Sequence, residues 1–225
     1  MKVQIRLGKI AGVEVDIHYS WFLVFVLVSW SLSTGFLPDR YPGWPGITYW
    51  VTGIIAVILL FVSVLVHELA HSIVAKARGL PVTGITLFIL GGVSNLKTDA
   101  QKASDEFVIS IVGPGTSFVL AACFWLLNLL LGEGDSQINA IVFYMSVMNA
   151  LLGAFNLIPA FPLDGGRVLR SAIWAFTGNH QKATRISTVG GQVVGIGMVV
   201  LGAIQAIGGN FIGGIWLVFL GWFLQ

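Results

Sequence analysis

Long apolar runs separated by short polar interruptions dominate the chain. Trp21–Leu37, Tyr49–Ala77, Phe107–Leu131, Ile138–Ile158, Ile186–Ile207 and Phe211–Leu224 are predicted as helices. Most reach or approach the ~20 residues that a bilayer core demands, and the last is the shortest. Pro38, Pro42 and Pro45, with Gly43 and Gly46, make a loop after the first run. Other segments follow a different period. Val3–Leu7 and Val13–Ile17 alternate apolar and polar residues around Gly8 and Gly12, the pattern of two short strands in a hairpin. Val82, Ile85, Leu87 and Ile89 suggest a further strand, and Gly91-Gly92 a bend or a close backbone approach. Thr98–Glu106 is polar, residues 132–135 read as a turn, and Arg167–Phe176 reads as a short helix. The expected fold class is an all-α polytopic membrane protein. It has six transmembrane helices and a small membrane-associated β-sheet, formed by the N-terminal hairpin and the 82–97 segment.

Composition agrees with this pattern. Mean hydropathy is +0.88, and 10% of the 225 residues are charged, against roughly 25% in a soluble domain. The expected location is the cell membrane, with multiple passes. A net charge of +2 gives no reason to expect a nucleic-acid partner. Cys123 is the single cysteine, which excludes an intrachain disulfide and a thiolate metal cluster. Residues 1–18 carry charges throughout and lack the continuous apolar segment of a signal peptide. Charge also orients the chain. With six spans, eleven of the twelve basic residues fall on one side and only Arg40 on the other. The basic side, which includes the N-terminus, is expected to be cytoplasmic.

The second apolar run carries the chemistry. His67-Glu68-Leu69-Ala70-His71 places two imidazoles one helical turn apart, so both can reach one metal ion. Arg78 lies eleven residues further on, which puts His67 ~16 Å from the basic boundary and well inside the membrane. Ionisable groups are costly at that depth and mark function. Glu68 points away from the histidine face and suits proton transfer better than metal ligation. Zinc hydrolases commonly use three protein ligands, so a third is needed.

Among the remaining acids and histidines, Glu14, Asp16 and His18 belong to the hairpin. Asp39, Glu133 and Asp135 lie on the opposite surface, and Asp99, Asp105 and Glu106 lie in a polar stretch. Asp164 alone sits in an apolar setting, beside the interruption Pro159-Ala-Phe-Pro162-Leu-Asp164-Gly-Gly166. Irregular backbone at membrane depth is tolerated only where it is buried or lines a wet cavity. Asp164 is therefore either the third ligand or the N-cap of the following helix. Asn156 could donate to a developing oxyanion or simply hydrogen-bond between helices. His18 reads as a membrane-entry residue and His180 as a solvated loop residue. The aromatic residues read as lipid-facing and interfacial packing. Two alternatives remain at this point: a membrane metal-ion transporter, whose pathway His and Asp also line, and a non-haem iron enzyme.

Three sequence matches carry a resemblance. They are His67-Glu-Leu-Ala-His71, then Asn156-Leu-Ile-Pro159-Ala-Phe-Pro162-Leu-Asp164-Gly-Gly166-Arg167, and Gly91-Gly92-Val93 followed by Ile111-Val-Gly113-Pro114. In these the chain resembles the site-2 protease family of intramembrane zinc metalloproteases, peptidase family M50, and most of all its compact prokaryotic and archaeal members. Ala70 stands where the family usually has glycine. The resemblance implies one zinc ion held by His67, His71 and Asp164, with Glu68 as general base and Asn156 stabilising the tetrahedral intermediate. It implies a transmembrane protein or peptide as substrate, added as an edge strand near Ile85–Asn95, with the lipid bilayer as surroundings. The first and sixth spans would form a gate, and water would arrive from the cytoplasmic side. Residues 1–225 are expected to form a single catalytic core without a PDZ or CBS domain. Oligomeric state is not specified by any of these features.

Overall fold

The computed structural model describes residues 5–88, 91–96, 100–132 and 134–225. The chain divides into two compact units, residues 1–99 with 112–153, and residues 100–111 with 154–225.

The first unit begins with a four-stranded sheet in the order β1-β2-β3-β4. Strands β1 (Ile5–Ile10) and β2 (Val13–Ile17) form an antiparallel hairpin as expected, but β1 runs three residues past the expected Leu7, through Gly8, where the register shifts, and Val3 and Gln4 lie outside the described residues. Strand β3 (Val82–Phe88) pairs parallel to β2, and β4 (Gly91–Leu96) pairs antiparallel to β3. Gly91 and Gly92 therefore open a strand, and of the two expectations, a bend or a close backbone approach, the close approach holds at Gly92, where a Cβ would meet the Glu68 side chain. Ile89 and Lys97, both assigned to this region from sequence, lie outside the described residues. Alternation in β2 is strict: Val13, Val15 and Ile17 are buried while Glu14 and Asp16 are less so. Val13, Ile17, Ile85 and Leu87 pack with Val64, Leu65 and Leu69, which ties the sheet to the helix bearing the histidines.

The first apolar run is helix α1 (Ser20–Ser31), a π-helical segment (Leu32–Phe36) and the single turn α2 (Leu37–Arg40). Helix α3 (Gly46–Ala77) starts directly after Pro45, which cannot continue a helix backwards. Helix α4 (Ala103–Leu131) starts four residues before the expected Phe107. Asp105 and Glu106 in its first turn face the positive end of the helix dipole and favour that earlier start. Pro114 lies inside α4 without ending it. Helix α5 is Gln137–Asn156. Around α3, Leu32, Leu37, Tyr41, Val57, Tyr144 and Met145 form the main apolar cluster of this unit.

In the second unit, helix α6 (Asp164–Thr177) stops at Gly178, whose φ of 66° is left-handed. Helix α7 (His180–Ile207) begins six residues before the expected Ile186, capped by the Asn179 side chain, which accepts from Lys182 N–H at 2.9 Å. Helix α8 is Phe211–Phe223. Among the described residues, five segments are long and apolar enough to cross a membrane: Ser20–Arg40, Gly46–Ala77, Ala103–Leu131, Gln137–Asn156 and His180–Ile207. At ~1.5 Å per residue α8 covers about 20 Å, less than the ~30 Å hydrocarbon core, so this apolar helix, expected from sequence as the sixth span, is not among the five.

Glycines make the α7–α8 seam. A Cβ on Gly202 would lie 2.6 Å from Gly214 O and 2.7 Å from Val218 N, and one on Gly195 would lie 2.8 Å from Gly221 O. Lipid offers helices no hydrophobic drive to associate, so close backbone contact supplies the attraction instead. Gly202→Leu is expected to destabilise the fold by about 1–3 kcal/mol through overpacking, read as a lower thermal midpoint in detergent. Gly197→Ala, where nothing lies within 4 Å of the new Cβ, is expected to leave that midpoint unchanged or raise it.

Candidate metal centre

Helix α3 carries His67 and His71 on one buried face, 3% and 7% exposed. Their rings meet nearly edge to face, and the two Nε2 atoms lie 3.2 Å apart. Two nitrogen ligands at ~2.0–2.1 Å from a tetrahedral zinc are separated by about 3.3 Å. The pair is therefore spaced as two ligands of one ion. With a metal ion held between the two Nε2 atoms, each ring's proton would sit on the opposite nitrogen. For His67 that is Nδ1, 2.8 Å from the Oγ of Ser117 on α4. Ser117 is fully buried. Accepting the Nδ1 proton fixes the tautomer and the ring plane, leaving the Nε2 lone pair for metal.

Two glycines make room for this arrangement. A Cβ on Gly113 of α4 would overlap the His71 ring and lie 2.7 Å from His67 Nε2. A Cβ on Gly92 of β4 would lie 2.9 Å from Glu68 Cδ. Glu68, half-buried, thus rests against strand backbone, on a side of α3 different from the histidines. The sheet reaches it because Gly92 pairs with Leu87, which packs in the cluster with Leu65 and Leu69.

Asp164 is the first residue of α6, and Leu163 occupies the cap position. Asn156 is the last residue of α5. Among the described residues, His67 and His71 of the first unit and Asp164 of the second are the group that could hold a metal ion. Two histidines and one carboxylate are a donor set that suits zinc with a position left open for water or substrate. Among the described residues, the remaining acids and histidines do not join it. His18 bonds to Ser20 Oγ at 2.8 Å, and His180 packs edge-on against Trp174. Glu14 pairs with Lys9, and Glu106 with Arg170. Asp99 and Glu133 lie outside the described residues.

Ser117 is absent from the sequence-derived site, while Gly92 and Gly113 stood in the sequence matches without a role in holding the histidines or Glu68. Gly113 and Ser117 are small residues four apart, hence on one face of α4, and that spacing is the signal that could have exposed them. Removing the hydroxyl in Ser117→Ala is expected to weaken metal binding about 10–100-fold, measured by competition with a chromogenic chelator. Ser117→Asn, which keeps an acceptor oxygen, is expected to recover part of that loss.

Comparison with known proteins gives the same picture as the geometry. The family model for peptidase family M50 matches residues 55–134 and 133–201. Rip3 of Mycobacterium tuberculosis is 37% identical over 226 aligned positions, covering 100% of this chain and 57% of that protein. The zinc metalloprotease MJ0392 of Methanocaldococcus jannaschii is 35% identical, covering 91% of this chain and 56% of that one. The chain thus spans a little over half the length of these curated relatives. A solved structure, the site-2 protease from Methanocaldococcus jannaschii, superposes with a TM-score of 0.62 at 31% identity, covering 98% of this chain and 91% of that one. Histidine spacing, donor chemistry, family model and fold agree: the chain belongs to peptidase family M50.

Proposed function

We propose that the chain is an intramembrane zinc endopeptidase that hydrolyses peptide bonds within or near the transmembrane segments of other proteins. The observation that carries this reading is the pair of converging imidazoles on one buried turn of α3, with a glutamate beside them. Membership of family M50 supports it, as do relatives named zinc metalloproteases. The reading takes His67, His71 and Asp164 as ligands of one zinc ion.

Zinc, when bound, supplies Lewis acidity that activates water near neutral pH and polarises the scissile carbonyl. Glu68 takes the proton of the attacking water on its carboxylate and returns it to the leaving amide nitrogen. Asn156 donates its side-chain N–H to the oxygen on which negative charge develops. Substrate helices must unwind first, because a helical peptide carbonyl is already hydrogen-bonded. Strand β4, at the edge of the sheet, offers an extended segment the backbone partners that unwinding removes. In this reading α8 completes six spans, the N-terminus faces the cytoplasm with the basic side, and the site lies within the bilayer toward that face. Residues 1–225 act as one catalytic core. The metal-ion transporter alternative finds no support in relatives such as Rip3 and MJ0392, which carry metalloprotease names.

Glu68→Gln is expected to reduce cleavage of a detergent-solubilised membrane-helix substrate by about 10²–10⁴-fold. The same protein should retain bound zinc, as measured by elemental analysis. Cleavage by Glu68→Gln at the wild-type rate would refute the mechanism. A strong chelator should abolish wild-type cleavage, and added zinc should restore it.

A further inference from the structure

A buried ion pair in the second unit is not used by the chemistry above. Glu106, in the first turn of α4, is 2% exposed, and the Arg170 side chain on α6 is 13% exposed. Arg170 Nε donates to Glu106 Oε1 at 2.8 Å, and its Nη2 donates to the same oxygen. The Arg170 guanidinium also lies over the Phe161 ring, 5.2 Å from its centroid. Arg167 Nε stands 3.9 Å from Glu106 Oε1. A single arginine thus holds α4, α6 and the turn that leads into α6.

That turn and α6 are joined closely. A Cβ on Gly166 would lie 2.7 Å from Ala160 C and from Phe161 N, and Gly165 is as tightly confined against Leu157 and Ile158. Ala160 and Leu163 are buried together in one cluster. Asp164 is the first residue of α6, so its carboxylate goes where the helix goes. Arg170 lies six residues on, ~9 Å along the axis. A contact at that distance fixes the rotation of α6 about its own axis.

The geometry of the pair is not the one that stability alone would select. A fork-to-fork arginine–carboxylate pair engages both oxygens. Here both donors converge on Oε1, and Glu106 Oε2 is buried without a hydrogen-bond partner among the described residues. Buried ion pairs are often no more stable than apolar substitutes, and a role in fixing one arrangement is the better-supported reason to keep them.

We infer that Glu106 and Arg170 are positioning residues: through Phe161 and the first turn of α6 they set the position of the Asp164 carboxylate and thereby the affinity for metal. This rests on the reading of Asp164 as a zinc ligand. The test uses the full chain in detergent and has two readouts, the zinc dissociation constant by chelator competition and the thermal midpoint of the zinc-free protein. The variants are Glu106→Gln with Arg170→Met, which leaves no unpaired buried charge, Arg170→Lys, Asp164→Asn, and the Asp164→Asn combination with the neutral pair.

The neutral pair is expected to keep a near-wild-type midpoint while the zinc dissociation constant rises about 10–100-fold. Arg170→Lys, which keeps charge but loses the planar stack, should fall between, and it supplies the comparison if the neutral pair does not fold. Asp164→Asn should show a larger rise, and adding the neutral pair to it should weaken binding no further, since both act through one carboxylate. Unchanged zinc affinity in the neutral pair and in Arg170→Lys, with a loss in Asp164→Asn, would overturn the inference and leave the ligand reading standing. Full additivity in the combined variant would also overturn it. Unchanged affinity in Asp164→Asn would instead overturn the ligand reading on which the inference rests.

Discussion

Hydrocarbon supplies no hydrogen bonds, so a polar group at bilayer depth must find its partner inside the protein. That constraint governs the metal centre. His67 gives its outer nitrogen to the Ser117 hydroxyl, and its inner nitrogen faces that of His71. Neither imidazole needs to be charged, which avoids the desolvation cost of a buried cation. Metal binding uses the unprotonated lone pair of each converging nitrogen. A bound metal at the inner nitrogens would complete what the Ser117 hydroxyl begins at the outer nitrogen of His67.

Small residues make that arrangement possible. Gly113 lets α4 approach the histidine rings, and Gly92 lets the sheet approach Glu68. A methyl group at either position would displace a side chain of the site. The same device appears in the second unit, where glycines bring α7 and α8 into backbone contact. Twenty-eight glycines in 225 residues are better understood as packing than as looseness, since close approach is what holds helices together in lipid.

The interruption between α5 and α6 follows from the same logic. Pro159 and Pro162 cannot continue the helix, and the turn they produce is buried at Ala160 and Leu163. Gly165 and Gly166 fold the start of α6 back onto that turn, so Asp164 is presented from a confined segment. Asp164 stands at the head of α6, directly after the cap residue Leu163. The Glu106–Arg170 pair ties the same segment to α4.

Much of this was legible in the chain because it depends on local periodicity. Alternation in Val13–Ile17 gives a strand half buried on one face. Four-residue spacing gives His67 and His71 one helical face, and apolar length gives the five candidate spans. These are properties of a few neighbouring residues and need no knowledge of the rest. Expectations weakened where length alone had to decide. Helix α8 is apolar but short, and its thirteen residues could not establish a crossing. Helices α4 and α7 start earlier than hydropathy suggests, because acids in the first turn of one and the Asn179 cap of the other favour polar helical starts. What only the tertiary structure decided were the partnerships across the sequence. Ser117 meets His67 fifty residues away, and Arg170 meets Glu106 sixty-four residues away. Such contacts leave no periodic trace, because they arise only when separate helices pack and an unsatisfied polar group in an apolar interior takes the nearest complementary atom.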